Sequence, residues 1–326
     1  MLLSVIIVSY NTKALTLQTI ESVLKSVQHS TPLKDKTEVW VVDNHSTDGT
    51  PEAVRTLQKK ESTLHLIENS DNLGFSAANN KALAKATGKY LLFLNSDTVV
   101  LDDALDRMIK EFEKHSLDAP TAVLERTSDK LDRLGILSAQ LLNPDGTSQA
   151  QGGSFPTLLS LAVHMLLLDD LPLIGKLLPS TQHTGHNSRR HTDKIFQQDW
   201  VGGTAMMTRQ EVLAEIGPLD DNIFMYGEDI EFCMRARFHH WDVAVLPLAK
   251  ITHFGSASSS SRNAIIGELK GYLYIWAKHK PIWQKGVAKW LIQLGVLLRI
   301  VLFGTMIRDT HRAAIYREAR QVVRSL

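Results

Sequence analysis

Apolar positions along the first hundred residues alternate between two rhythms. Leu3–Val8 is a β-branched run that stops at Ser9-Tyr10-Asn11. Leu15, Ile20, Val23 and Leu24 then recur at helical spacing within Thr12–Ser26. Glu38–Val42 predicts a second strand, closed by Asp43-Asn44-His45-Ser46. Thr50 is the expected N-cap of the next helix, with Pro51 at its first position. Leu64–Glu68 predicts a third strand, Asn69–Gly74 a turn, and Ala77–Ala86 a helix ended by Gly88. Tyr90–Leu94 predicts a fourth strand running into Asn95-Ser96-Asp97.

Strands separated by helices of roughly 10–15 residues imply parallel crossover units, hence a doubly wound α/β sheet with flanking helices. Ligands in such sheets bind beyond the carboxyl ends of the strands. All four ends here are small and polar, which is the first functional signal.

Later segments are less regular. Leu134–Leu142 predicts a strand, and Asn143-Pro144-Asp145-Gly146 a turn. An apolar patch, Leu158–Leu168, precedes a His-, Ser- and Arg-rich stretch from His183 to His191, which reads as a loop. Trp200–Met207 predicts a strand, Arg209–Ile216 and Glu228–Arg237 helices, and Val243–Leu246 a strand before His253.

Composition narrows the class. The chain has 326 residues, 44% hydrophobic and 22% charged, a globular balance that excludes wholesale disorder. Cys233 is the only cysteine, so an intrachain disulfide and a cysteine-rich zinc site are excluded. The N-terminus lacks a basic start and a small-residue cleavage site, so it reads as a strand rather than a secretory signal. The net charge of +1 conceals an asymmetry. From Arg262 onward there are 12 Lys and Arg against three acids, +9, while the other 261 residues hold 24 basic and 32 acidic, −8.

Candidate chemistry sits at the strand ends and two later points. Asn95 and Asp97, at i and i+2, can approach one side of Mg²⁺ or Mn²⁺, although an Asx turn accounts for the same residues. Glu228-Asp229 opens a helix. It reads either as a dipole complement or as a general base able to reach a substrate hydroxyl. His253 is one of 13 histidines and, taken alone, reads as structural more readily than as a ligand. Gly202-Gly203 in a strand-like segment suggests close approach of a ligand or another backbone. Trp200 offers a flat face for a sugar ring, or a core contact.

Together these segments resemble the family 2 glycosyltransferases of the GT-A fold, and within them a rhamnosyltransferase-like branch. The matching pieces are Val5–Asn11, Val41–Gly49, Asn72–Asn80, Leu94–Asp97, Leu142–Gly146 and Trp200–Arg237, in register across about residues 3–256. The resemblance implies a catalytic domain over 1–260 and a separate tail over 261–326. It implies that Ser9, Tyr10, Asn11 and Asp43 hold a nucleotide, with Asn72, Gly74 and Asn79 along the donor. It puts Asn95-Ser96-Asp97 in the place of the family's Asp-X-Asp motif, with Asp97 and His253 as metal ligands. It makes Asp229 the catalytic base, and Glu228, with Trp200, Gly202 and Gly203, contacts for acceptor or sugar. Asn95 replaces the first acid of the motif, which weakens attraction for a cation. The activity implied is inverting transfer of one sugar, with rhamnose suggested by the branch, from a dTDP- or UDP-linked donor to a lipid-linked or cell-surface glycan.

The tail predicts a basic amphipathic helix, Ile282–Ile307. Lys285, Lys289 and Gln293 share one face, and Leu291, Leu294, Leu298, Val301 and Leu302 the apolar side. Tryptophans beside lysines suit an anionic membrane surface on the cytoplasmic face. Packing on the catalytic domain or on a second copy of the chain is the other reading. No uninterrupted apolar run reaches the length of a membrane span, because Gln293 and Arg299 break the best stretch. The tail carries no nucleic-acid-binding motif, so no such partner is expected. Two rivals remain at this level: a nucleotidyltransferase acting on a sugar phosphate, disfavoured by the absence of glycine in Ser9–Lys13, and a non-enzymatic glycan-binding scaffold.

Overall fold

The computed structural model describes residues 1–115, 131–169, 171, 178–179, 181, 193–255 and 261–326. The expected loop at 183–191 and the serine run at 256–260 lie outside the described residues.

The strands are β1 Leu3–Ser9, β2 Thr37–Asp43, β3 Leu64–Glu68, β4 Tyr90–Asn95, β5 Thr98–Val100, β6 Leu134–Leu142, β7 Gly152–Gly153, β8 Phe196–Gln197, β9 Trp200–Val201, β10 Ala205–Arg209 and β11 Asp242–His253. The helices are α1 Lys13–Gln28, α2 Thr50–Gln58, α3 Gly74–Leu83, α4 Ala104–Lys114, α5 Leu158–Met165, α6 Gln210–Ile216, α7 Glu228–Phe238, α8 Ser261–His279, α9 Ile282–Val301 and α10 Thr310–Ser325. Among the described residues the main sheet has nine strands, in the order β3-β2-β1-β4-β10-β6-β11-β5, with β8 beside β11. The β3-β2-β1-β4 half is parallel throughout, as the crossover helices require. β10 runs antiparallel between β4 and β6, and β11 returns parallel to β6.

Side chains alternate across the sheet. Val5 and Ile7 of β1 enter the core under α1 and α4, while Ile6 joins Phe93, Phe232 and Trp241 on the opposite face. Phe93 of β4 meets Phe232 of α7 edge-on, with ring centroids 6.3 Å apart, so α7 is seated directly on the central strand.

Three local expectations are corrected. The expected strand Trp200–Met207 is two strands, because Gly202-Gly203-Thr204 turns the chain between β9 and β10. Thr50 is the first residue of α2 rather than its cap. Gly49, at φ 83°, precedes the helix and Asp48 Oδ1 accepts the Thr50 N–H. The last strand is much longer than Val243–Leu246, since a register shift after Leu246 lets it continue to His253.

The C-terminal helices pack together and onto the sheet domain. Ala288, Leu291, Ile292 and Val296 of α9 are buried in a cluster with Leu273 and Trp276 of α8 and Ala319 and Val323 of α10. Gln293 and Arg299 do not prevent Ile282–Met306 from being long and apolar enough, by length and composition, to cross a membrane. Arg299 instead turns inward. Its guanidinium donates to the carbonyls of His164 and Met165 at 2.8 and 2.7 Å, capping α5. The opposite face of α9 exposes Trp283, Val287, Trp290, Leu298 and Val301, spaced as one helical stripe.

Candidate active site

The loops after β1 and β2 are sewn together by short polar side chains. Asn11, at φ 53°, donates its N–H to Ser46 Oγ and accepts the Thr47 N–H at 2.8 Å. Ser9 is fully buried, and its hydroxyl pairs with Thr12 and Thr16. Ser96 joins the same hydroxyl cluster through Thr12 at 3.0 Å. Tyr10 is half-buried beside them. Asp43 Oδ2 accepts the Ser46 N–H, which fixes the carboxylate at the end of β2.

Asn44 is a hub that the sequence pattern did not single out. Its amide donates to Asn72 Oδ1 and to the Gly74 carbonyl, and its oxygen accepts from Asn69 and the Leu73 N–H. Asn72 also accepts the Gly74 N–H. Gly74, at φ 82°, starts α3 where a Cβ would lie 2.3 Å from the Phe224 carbonyl. Asn79 donates to the Phe75 carbonyl one turn earlier.

Near this rim, buried polar atoms are left without partners among the described residues: Asp43 Oδ1, Asn69 Oδ1, Ser76 Oγ and Asn79 Oδ1, and Glu228 Oε2 at the start of α7 is a further one. Buried polar groups are normally satisfied, so a group of orphans at one sheet edge marks where a polar ligand belongs. Asn69 lies in a polar strand end and Ser76 within the Asn72–Asn80 segment, but only burial singles either out as a binding residue.

Sheet register builds the cation candidate. β5 pairs antiparallel with β11, setting His253 opposite Thr98, next to Asp97. His253 Nε2 lies 3.3 Å from Asp97 Oδ1, and Nδ1 lies 2.6 Å from Gln149 Oε1. With Nδ1–H donating to Gln149, the Nε2 lone pair faces a carboxylate oxygen, an arrangement that a shared cation or proton satisfies. Asn95 is half-buried and Asp97 buried. Thr19 of α1 donates to the Ser96 and Thr98 carbonyls and so holds this loop. Among the described residues no three His, Cys, Asp or Glu side chains gather at one point. The pair therefore fits a cation whose remaining ligands come from substrate oxygens and water.

Glu228 and Asp229 open α7 after Tyr226 and Gly227, both at positive φ. Asp229 Oδ1 accepts the Ile230 N–H at 2.8 Å, and Oδ2 the Gly203 N–H at 3.2 Å. Next to Gly203, the Thr204 carbonyl accepts the Asn95 N–H, so the β9–β10 turn is bonded both to Asp229 and to Asn95 at the end of β4. A Cβ on Gly203 would sit 3.1 Å from the Phe75 ring, and one on Gly202 3.7 Å from Asp229 Oδ2. Trp200 is half-buried and donates its indole N–H to the Ser154 carbonyl. Burial pushes both carboxyls up. Glu228 rises to about 8, first by desolvation and then by the charge of Asp229. Asp229 is raised by desolvation against the two N–H bonds it accepts. Both carboxyls thus resist ionisation together, and only Asp229 has backbone N–H groups on both of its oxygens to favour its charged form.

Behind this pair, α8 is locked to α7. Glu231, fully buried, accepts from Arg235, Lys278 and His279. Burial raises its pKa, but these bonds outweigh burial and lower it to about 2. Gly271 of α8 has no room for a Cβ, which would lie 2.3 Å from the Tyr226 carbonyl.

The parallel half-sheet with its polar rim and the carboxyl pair at the start of α7 sit in a fold of the GT-A glycosyltransferase type. Residues 4–160 match the family model described as glycosyl transferase family 2. It is similar to the N-acetylglucosaminyl-diphospho-decaprenol L-rhamnosyltransferase of Mycobacterium tuberculosis, 22% identical over 299 residues, covering 87% of this chain and 88% of the relative. A low-salt glycan biosynthesis hexosyltransferase of Haloferax volcanii is 24% identical over 196 residues, 58% of this chain and 52% of the relative. In fold the chain is similar to a mannosyltransferase from Pyrobaculum calidifontis in complex with GDP-Man and Mn²⁺. The TM-score is 0.55 at 17% identity, covering 98% of this chain and 83% of that one.

Proposed function

We propose that the protein transfers one sugar from a nucleoside-diphosphate sugar to a hydroxyl of a lipid-linked or cell-surface glycan, inverting the anomeric centre. The observation that carries this reading is the Glu228-Asp229 pair held to Gly203, one residue from the turn that meets Asn95. Asp43 Oδ1 receives the base or ribose, and the orphaned atoms of Asn69, Ser76 and Asn79 the donor. Asp229 accepts the proton of the acceptor hydroxyl as its oxygen attacks the anomeric carbon. The bond from that carbon to the diphosphate oxygen breaks, and the nucleoside diphosphate leaves with the electron pair. Glu228, protonated near neutrality, spares the site a second negative charge and has a proton to share with the acceptor. Mg²⁺ or Mn²⁺ held by Asp97 and His253 would neutralise charge on the leaving diphosphate.

The similarity to an L-rhamnosyltransferase supports rhamnose on dTDP as the donor, and a UDP-linked hexose is the second choice. The exposed apolar stripe of α9 and the basic tail support residence on the cytoplasmic face of the cell membrane. Purified protein incubated with a panel of nucleotide sugars, Mg²⁺ or Mn²⁺ and a lipid-linked acceptor tests the reading. The expected product has inverted anomeric configuration by NMR. Asp229→Asn is expected to lower turnover about 10²- to 10⁴-fold with donor binding intact. Full turnover in that variant removes the assigned base.

A further inference from the structure

A cavity is lined by residues 222–225, in the segment that leads into Asp229, and by α8, α9 and α10. Its volume is about 690 Å³, within the range of small-molecule sites. Phe224, Ile266, Leu273 and Val322 give it apolar walls, and Lys270 and Lys285 bring cationic groups to it. Neither lysine has a carboxylate partner among the described residues. The third basic group there, Arg262, is paired with Glu318 through both guanidinium nitrogens, so the lining side chains carry a net positive charge.

Phe224 is 53% exposed, an apolar side chain left open on this wall. Its carbonyl accepts the Phe75 N–H at 2.7 Å, which fixes the wall to the start of α3. Four residues later come Glu228 and Asp229. A wall of the cavity and the carboxyl pair thus belong to one short stretch of chain, which α8 braces through Gly267 and Gly271.

Apolar walls with unpaired lysines match a ligand that is a hydrocarbon at one end and an anion at the other. We infer that this cavity holds the lipid–diphosphate end of the acceptor, an isoprenoid-type chain against Ile266, Leu273 and Val322 and its diphosphate at Lys270 and Lys285. This deepens, and rests on, the lipid-linked form of the acceptor proposed above. It gives the C-terminal helices a role in substrate binding. Lys285 belongs to α9, the helix that also carries the exposed apolar stripe, so one element serves the lipid anchor and the lipid surface.

The test uses the full chain, with EDTA present to suppress cation-dependent binding at the nucleotide rim. Farnesyl diphosphate, farnesol and inorganic pyrophosphate are titrated by calorimetry into the wild type and into a Lys270→Ala/Lys285→Ala double variant. The wild type is expected to bind farnesyl diphosphate at least about tenfold more tightly than either fragment, and the double variant to lose about tenfold or more for farnesyl diphosphate, to weaken for pyrophosphate and to leave farnesol unchanged. Equal affinity for farnesyl diphosphate and farnesol, or an unchanged double variant, overturns the assignment. A parallel thermal-shift measurement with nucleotide sugars and Mn²⁺ reports on the transferase reading. Its loss in the wild type indicts that reading, whereas its retention in a variant with unaltered farnesyl diphosphate affinity indicts only the cavity.

Discussion

The Gly203 N–H donates to Asp229 Oδ2 at 3.2 Å, leaving the carboxylate oriented by backbone from both sides, since Ile230 binds the other oxygen. A carboxylate held this way needs no side-chain partner, and its neighbour Glu228 has none on Oε2 among the described residues. The pair therefore has unequal roles fixed by geometry.

Glu228 gives the protein a distinct pH signature. Its folded pKa of about 8 exceeds the ordinary 4.5, so the native state holds a proton that the unfolded chain releases in that window. Stability contributed by this group is full below pH 4.5 and declines as pH rises toward 8. Glu228→Gln is expected to flatten that decline in urea titrations between pH 6 and 9. In turnover assays it is expected to extend activity on the alkaline side, because a second charge beside Asp229 can no longer form.

Gln149 fixes the ring of His253 and touches no proposed ligand itself. Gln149→Ala is expected to weaken Mn²⁺ binding in the presence of a nucleoside diphosphate by about 10- to 100-fold, read by titration calorimetry. Gln149→Glu, which keeps an acceptor on Nδ1, is expected to recover most of the loss.

Gly74 occupies left-handed backbone against the Phe224 carbonyl. Gly74→Ala is expected to cost about 1–3 kcal/mol in chemical denaturation from backbone strain, with further loss from the clash. It is also expected to weaken nucleotide-sugar binding, because Asn72 and Asn44 both hold this turn.

Trp283 and Trp290 are 63% and 60% exposed on the outer face of α9. Replacing both by Ser is expected to reduce co-sedimentation with vesicles containing anionic lipid while leaving the melting temperature unchanged. Unaltered co-sedimentation counts against this face as the membrane contact.

Much of the nucleotide half was legible because its signals are local. β-Branched runs, helical spacing and polar strand ends place β1 to β4 within a residue or two of their observed limits. The break at Gly202–Thr204 was not, since glycine inside an apolar run reads equally as a strand interior and as a turn. β5, at three residues, is too short to carry a period, yet its pairing sets His253 beside Asp97. Asn44 and Asn69 lie in the polar strand ends, but their pairing with each other and with Asn72 needs the fold, and nothing in the sequence around Gln149 announces its contact with His253. Arg299 reads as an interruption of an apolar helix. Only the tertiary fold supplies the α5 carbonyls that accept its guanidinium.

The rim above the sheet is joined by hydroxyls and amides, Ser9 to Thr12 and Thr16, Thr12 to Ser96, Asn44 to Asn69 and Asn72, with hardly an ion pair among them. Neutral bonds of this kind are indifferent to ionic strength. The mould proposed for the nucleotide is thus expected to keep its shape from dilute buffer to brine, and a response of turnover to salt to originate in the charged reactants rather than in the vessel.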